Sequence, residues 1–381
     1  MFSKAVNALC LGITLLLTHN LYSQTNPDTL RLNQIQTLGS HNSYRIHTDK
    51  GIFGLMKLLD PFYGVKTTPA QALDYNHIPI PEQFENYGMR GLELDIHYDP
   101  NGGLFYKRKG NALVLKCTDS KVEALKKKGM KILHISDIDY NTHYITFIDA
   151  LEAVKQWSDS HPMHLPIYIM VEPKEEGVGN KLKGLGFVEV LPFDKTALEA
   201  VDDEIRLVFK DDLKHILTPD DVRGNYPTLF QAITKGGWPK LKDARGKIIF
   251  VINGSMANTI AYADGHPSFT GRMMFSLSQP GRDEAAFLKS DNPGNPAIQD
   301  WVKSGYIVRS RCDEPGVEAL HNDYSTMHKA FECGSQILST DYYKPDLNLS
   351  TYKAAFPDGK VAKTNFLIPA EMSKVLDWKE K

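Results

Sequence analysis

Eight short apolar runs, separated by stretches of helical period, constrain this chain more than any other feature. The runs fall at residues 34–39, 91–97, 131–135, 165–172, 247–253, 273–278, 306–310 and 336–339. Between them, Phe147, Ile148, Leu151, Val154 and Trp157 form one apolar stripe at helical spacing. Leu198, Val201, Ile205 and Val208 form a second, and Val317, Leu320, Tyr324, Met327 and Phe331 a third. Buried strands alternating with helices predict a mostly parallel sheet. Eight of them favour closure into a (β/α)8, TIM-like barrel over an open doubly wound sheet. The 381 residues accommodate one such barrel, and no internal repeat, low-complexity tract or Pro/Ser-rich linker divides them.

Lys and Arg total 44 against 46 Asp and Glu, a formal net charge of −2. No global positive field exists to drive nucleic-acid binding. Residues 1–23 stand apart from the fold: Lys4 precedes the apolar stretch 5–17, and a polar stretch follows with Ser23 before Gln24. That is the pattern of a secretory signal peptide, so residues 24–381 are expected to act in the periplasm or outside the cell. No later run approaches the ~18 apolar residues of a membrane span. Cys10 leaves with the signal, and Cys117, Cys312 and Cys333 form no even disulfide framework. A Cys312–Cys333 bridge stays open, since spacing alone does not set their distance.

The run Gly91-Leu92-Glu93-Leu94-Asp95-Ile96 alternates apolar and acidic residues at period two. Glu93 and Asp95 therefore share one side of a strand while Leu92, Leu94 and Ile96 pack behind it. In a barrel that side is the lumen, where two carboxylates repel unless they share a proton or bind a cation. An edge strand with its acidic face in water is the plainer alternative.

Other polar residues fall where the first, third and fourth runs end, and barrel enzymes build their sites at the C-terminal ends of strands. Run one ends in Gly39-Ser40-His41-Asn42, with the glycine expected to turn the backbone and deliver His41 and Asn42. Run three ends at His134, and run four in Glu172-Pro173-Lys174. A buried Glu172 needs a partner, for which Lys174 is at hand. Oxygen ligands from three carboxylates and one amide suit Ca²⁺ or Mg²⁺ rather than zinc. Imidazoles kept off the metal are free to move protons. The combination suggests phosphoryl-ester chemistry. A long insertion at 48–87, rich in Pro and aromatic residues, is expected to lie over the mouth as loop or short helix. Its Ile52, Phe53, Leu55, Met56, Leu58, Leu59, Phe62 and Tyr63 either pack down as a lid or face outward toward a lipid surface.

At these residues the chain resembles the calcium-dependent phosphoinositide-specific phospholipase C family in its secreted bacterial form. The matching strings are GSHNSY (39–44), LDYNHIPIPEQF (73–84), GMRGLELDI (88–96), LHISDID (133–139), the stretch 148–175, YIVRSRCDE (306–314) and QILSTDYY (336–343). The resemblance implies a distorted barrel, one catalytic Ca²⁺, and attack of the inositol 2-hydroxyl on a glycerol–phosphoinositol ester. Diacylglycerol leaves, and the other product is an inositol phosphate, at first cyclic. By motif, Asn42, Glu93, Asp95 and Glu172 resemble the calcium ligands. His41 resembles the group that stabilises the charged phosphorane, and His134 the general acid to the leaving oxygen. Glu93 or Asp95 would serve as base. Lys174, Arg309 and Tyr342 would hold phosphate or stack on the inositol ring, or else be core ion pairs and an aromatic plug. The resemblance further implies a phosphoinositide or related phosphodiester substrate, transient contact with a membrane surface, no nucleic acid, and a monomer. The chain lacks room for the accessory domains of the eukaryotic enzymes, and its string after His134 departs from theirs.

Two other readings share these residues. A metal-dependent glycerophosphodiester phosphodiesterase also carries an acidic E-x-D strand, but starts with His-Arg-Gly where this chain has Ser40-His41-Asn42. A non-catalytic module binding inositol or lipid head groups would have no need of both histidines.

Overall fold

Ile248-Ile249-Phe250-Val251-Ile252 is apolar at every position and wholly buried, as a strand covered on both faces requires. The computed structural model describes residues 27–367 except 66, 211, 314 and 315, so the expected export signal lies outside the described residues. Among the described residues ten strands follow one another: β1 Ile35–Ser40, β2 Gly91–His97, β3 Lys131–Ile132, β4 Ile167–Pro173 and β5 Ile248–Ile252. β6 Met274–Ser276, β7 Phe287–Lys289, β8 Ile307–Arg311, β9 Ile337–Thr340 and β10 Ala362–Thr364 complete them. Eight run in the order β6-β5-β4-β2-β1-β9-β8-β7, each parallel to its neighbours. A lone parallel bridge, Leu277 to Phe287, joins the two ends. The fold is a distorted, nearly closed (β/α)8, TIM-like barrel.

The distortion has two sources. β1 meets β2 at Gly39–Gly91 alone, and β10 pairs antiparallel with Ile35–Thr37. At the β6–β7 seam the strands are three residues each.

Two sequence expectations need correction. The run at 131–135 is not a barrel strand: only Lys131–Ile132 is extended, and it pairs antiparallel with the end of β2. The missing barrel member is β7, three residues long with Lys289 exposed, too short to show a period. Gly39 also has a different role. A Cβ there would lie 2.8 Å from the Gly91 Cα, so it permits the close passage of β1 and β2. The left-handed turn falls instead on Asn42, with φ of 48°.

Helix Phe147–Ser160 starts at Thr146, which exchanges capping hydrogen bonds with Asp149. It buries Phe147, Ala150, Leu151, Val154 and Trp157, while Ile148 is half-buried. The second stripe lies on helix Lys195–Phe209. The third is split into Val317–His321 and Ser325–Cys333 by a left-handed Asn322. Cys312 and Cys333 are both buried and unpaired, so the bridge left open by the sequence is not formed.

The 48–87 insertion is mostly helical, with Lys50–Leu59, Pro69–Ala72 and Ile80–Tyr87 as its helices. Its apolar residues divide. Ile52 and Phe53 are buried, Phe53 with Ala70, Leu73, Met56 and Ile135. Leu58, Leu59, Phe62, Tyr63 and Val65 face outward, Leu58 at 70% and Phe62 at 83% exposure.

Candidate active site

β2 and β4 run side by side with Asp95 opposite Glu172 and Glu93 opposite Met170. Leu92, Leu94 and Ile96 enter the main core, which leaves Glu93 and Asp95 on the lumen side. One ligand oxygen each from Glu93, Asp95 and Glu172 lie within 4.8 Å of one another. The turn after β1 brings in Asn42. Ser43 donates its amide to the Glu93 carbonyl at 2.9 Å and its Oγ accepts from the Glu93 amide at 2.9 Å. Gln83 braces that turn, donating to the Ser43 carbonyl at 2.7 Å.

The donors fit a hard cation. Asn42 gives Nδ2 to the Tyr75 hydroxyl at 2.8 Å, which leaves its buried Oδ1 without a partner. Asp95 Oδ1 is also buried and unpartnered. Burial raises the Asp95 pKa, opposed by the charge of Lys174. Orphaned oxygens and a crowded set of carboxylates are what an oxygen-seeking ion such as calcium would satisfy.

Two histidines flank the carboxylates, each oriented by an aspartate. His41 Nδ1 donates to Asp341 Oδ1 at 2.8 Å, and its Nε2 lies 3.8 Å from Glu93 Oε1. Burial and the nearby Arg311 lower the His41 pKa, against the opposite pull of Asp341 and Glu93. Asp341 in turn accepts from Arg311 at 2.7 Å. His134 Nδ1 donates to Asp139 Oδ2 at 2.8 Å. Asp139 is fully buried, which alone would raise its pKa. His134 and Arg45 outweigh that and hold it well below the usual carboxylate range. Arg45 also binds Thr48 Oγ1 and the Leu73 carbonyl, tying the start of the insertion and its residue 73 to the partner of His134.

The three residues expected to touch substrate are engaged with neighbouring side chains. Lys174 Nζ lies 2.6 Å from Glu172 Oε1 and 2.8 Å from Asp95 Oδ2. Arg309 pairs with Glu93 Oε2 at 2.6 Å and with Asp291. Tyr342 is 5% exposed and packs edge-on against Tyr75 and Tyr352. Sequence reasoning missed Asp341, Asp139 and Asn253. Asn253 follows β5 directly and donates to Glu93 Oε1 at 3.1 Å and Glu172 Oε2 at 2.8 Å. The signal was available: Asp341 and Asp139 lie inside the strings QILSTDYY and LHISDID. A cavity of about 650 Å³ lined by Arg90, Trp157 and Tyr343 contains none of these groups.

The barrel mouth joins clustered carboxylates to two aspartate-oriented histidines, which suits a metal-dependent phosphoric diester hydrolase, and the family whose model the chain matches is of that class. More particularly, the chain belongs to the calcium-dependent phosphoinositide phospholipase C family, whose model matches residues 30–366. No curated protein matches the chain. It is similar in fold to a calcium-dependent phosphoinositol-specific phospholipase C from a Gram-negative Pseudomonas species, with 15% identity and a TM-score of 0.52. That match covers 90% of this chain and 98% of the other. A Pseudomonas structure described as a myoinositol complex superposes with a TM-score of 0.51, at 15% identity and the same coverage.

Proposed function

We propose that this chain is exported and, with one bound Ca²⁺, cleaves phosphatidylinositol-type lipids to diacylglycerol and an inositol phosphate that is first cyclic. The observation that carries this reading is the convergence of Glu93, Asp95 and Glu172 within 4.8 Å, with the orphaned Asn42 Oδ1 on the turn that Ser43 bonds to Glu93. These four would hold the ion, which supplies Lewis-acid polarisation of the phosphoryl oxygen and the 2-hydroxyl.

The chain's own groups do the rest. Glu93 or Asp95 takes the proton of the inositol 2-hydroxyl, whose oxygen attacks phosphorus. Because Asp341 engages Nδ1, the His41 ring presents Nε2 to the mouth, and in its protonated form it donates to the charged phosphorane. His134, with Nδ1 on Asp139, gives its Nε2 proton to the departing glycerol oxygen. Asp139 stabilises the cationic ring before that transfer. The mature enzyme acts as a monomer that meets the membrane only transiently, through the outward face of the insertion. No helix among the described residues is long and apolar enough to cross a bilayer.

Hydrolysis of phosphatidylinositol vesicles, followed by phosphorus NMR with calcium or a chelator, tests the proposal. A calcium-dependent cyclic phosphodiester signal is expected. Direct release of glycerol phosphate would favour the glycerophosphodiesterase reading, and no turnover of any phosphodiester the head-group-binding module.

A further inference from the structure

Lys174 occupies the very oxygens that the calcium reading assigns to the metal. Its backbone is fixed at the end of β4, where the amide donates to the Ile96 carbonyl at 2.9 Å. From there Nζ spans Glu172 Oε1 at 2.6 Å and Asp95 Oδ2 at 2.8 Å. The third carboxylate, Glu93, is held by Arg309 at 2.6 Å. Three carboxylates thus face two cationic side chains.

A divalent cation changes that balance. A calcium ion on Glu172 and Asp95 needs the very oxygens that the ammonium spans, so ion and ammonium compete for one place. The two cationic side chains differ in their freedom to leave. Arg309 is 3% exposed and is pinned on both sides by Glu93 and Asp291, with Ser339 Oγ at 3.2 Å. Lys174 is 22% exposed and carries its charge on a flexible four-carbon stem. The structure assigns the displacement to Lys174.

We propose that Lys174 is an internal counter-cation that closes the metal site in the absence of calcium and is expelled toward the mouth when the ion enters. It rests on the calcium reading of Glu93, Asp95 and Glu172, and it adds a determinant of metal affinity. Only molecules with the lysine withdrawn are competent to bind, so the observed affinity is reduced by that fraction. Expulsion also places an ammonium at the mouth only when the metal is bound, where it can meet the anionic phosphodiester.

Calcium titration calorimetry on the full mature chain tests this. Lys174→Met keeps the stem and removes the charge, and should bind calcium about tenfold or more tightly than the parent. Lys174→Arg keeps the charge and should stay close to the parent. Equal or weaker binding by K174M, with a parent that binds normally, overturns the lysine proposal alone. If neither binds calcium, the site reading fails and the proposal falls with it. A second measurement needs no variant: acetylation of the native protein by a water-soluble amine reagent, mapped by peptide mass spectrometry with calcium or chelator. Calcium should increase modification at Lys174. Unchanged or reduced modification overturns the proposal even where K174M fails to fold.

Discussion

Asp341 accepts a hydrogen bond from Nδ1 of His41 at 2.8 Å, and that contact decides which nitrogen of the ring faces the barrel mouth. Burial alone would raise the pKa of Asp341. Arg311 and His41 outweigh it and keep this carboxylate well below its usual range, so it is the acceptor and Nδ1 the donor. Asp341→Asn keeps the shape, removes the charge that steadies a protonated ring, and allows the wrong tautomer. Turnover should fall by roughly 10²-fold or more, the scale of a disabled proton-transfer group. Calcium affinity and the circular dichroism spectrum should stay those of the parent. Full turnover in this variant would reduce Asp341 to a structural partner.

The barrel was legible because buried strands leave short apolar-rich runs, continuous in β5, and seven of the eight barrel strands coincide with runs read from the sequence. β7 was not, since three residues ending in an exposed lysine carry no period. The acidic pair on β2 was legible from alternation, because period two fixes the face. Their counter-charges were not. Arg309 reaches Glu93 across 216 positions of sequence and Asp341 reaches His41 across 300, distances that only the closed ring of strands collapses. Lys174 is the instructive case. Sequence proximity suggested Glu172 as its partner, and only the β2–β4 register added Asp95.

Glu93 is expected to be a metal ligand, and Glu93→Gln tests that directly. The amide removes one negative charge from the cluster and leaves Arg309 with Asp291 as its remaining carboxylate partner. Calorimetry should show calcium binding strongly weakened and vesicle hydrolysis largely abolished, with the fold intact by circular dichroism. Parent-like calcium affinity would take Glu93 out of the site.

His41 and His134 are expected to serve chemistry and not the metal. Each alanine variant should lose on the order of 10²-fold or more in turnover. Both should bind calcium nearly as the parent does, because their Nδ1 atoms face Asp341 and Asp139. A variant with unimpaired turnover would return its histidine to a packing role.

Glu204 offers a stability test remote from the site. Buried to 9% exposure, it accepts from the Met130 amide at 2.8 Å, and desolvation pushes its pKa up to about 7. The folded state therefore holds a proton that the unfolded state has released once pH exceeds the ordinary glutamate range. Stability falls as pH rises from about 4.5 to 7, by on the order of 2–3 kcal/mol in full. Glu204→Gln keeps the acceptor for Met130 and removes the titration. Urea unfolding should show the variant gaining on the parent between pH 5 and pH 8. A constant difference across that range would mean that Glu204 ionises freely.

The outward face of the insertion decides between a lid and a docking surface. Phe53 packs against Ala70 and Leu73, so changing it would disturb the fold and say nothing about lipid. Leu58 and Phe62 are the informative positions, at 70% and 83% exposure. They lie on the segment between Thr48 and Leu73, both of which Arg45 ties to Asp139, the partner of His134. Burying such side chains in the interface contributes about 25 cal/mol per Å² of apolar area, enough for weak and reversible docking. Replacing Leu58 and Phe62 together by Ser costs little folding stability, because neither contributes to the core. Hydrolysis of vesicle phosphatidylinositol should then fall several-fold, and sedimentation with vesicles should weaken. A soluble short-chain substrate should be cleaved at the parent's rate. Equal losses on both substrates would mean that this face shapes the site itself, and the docking reading would be wrong.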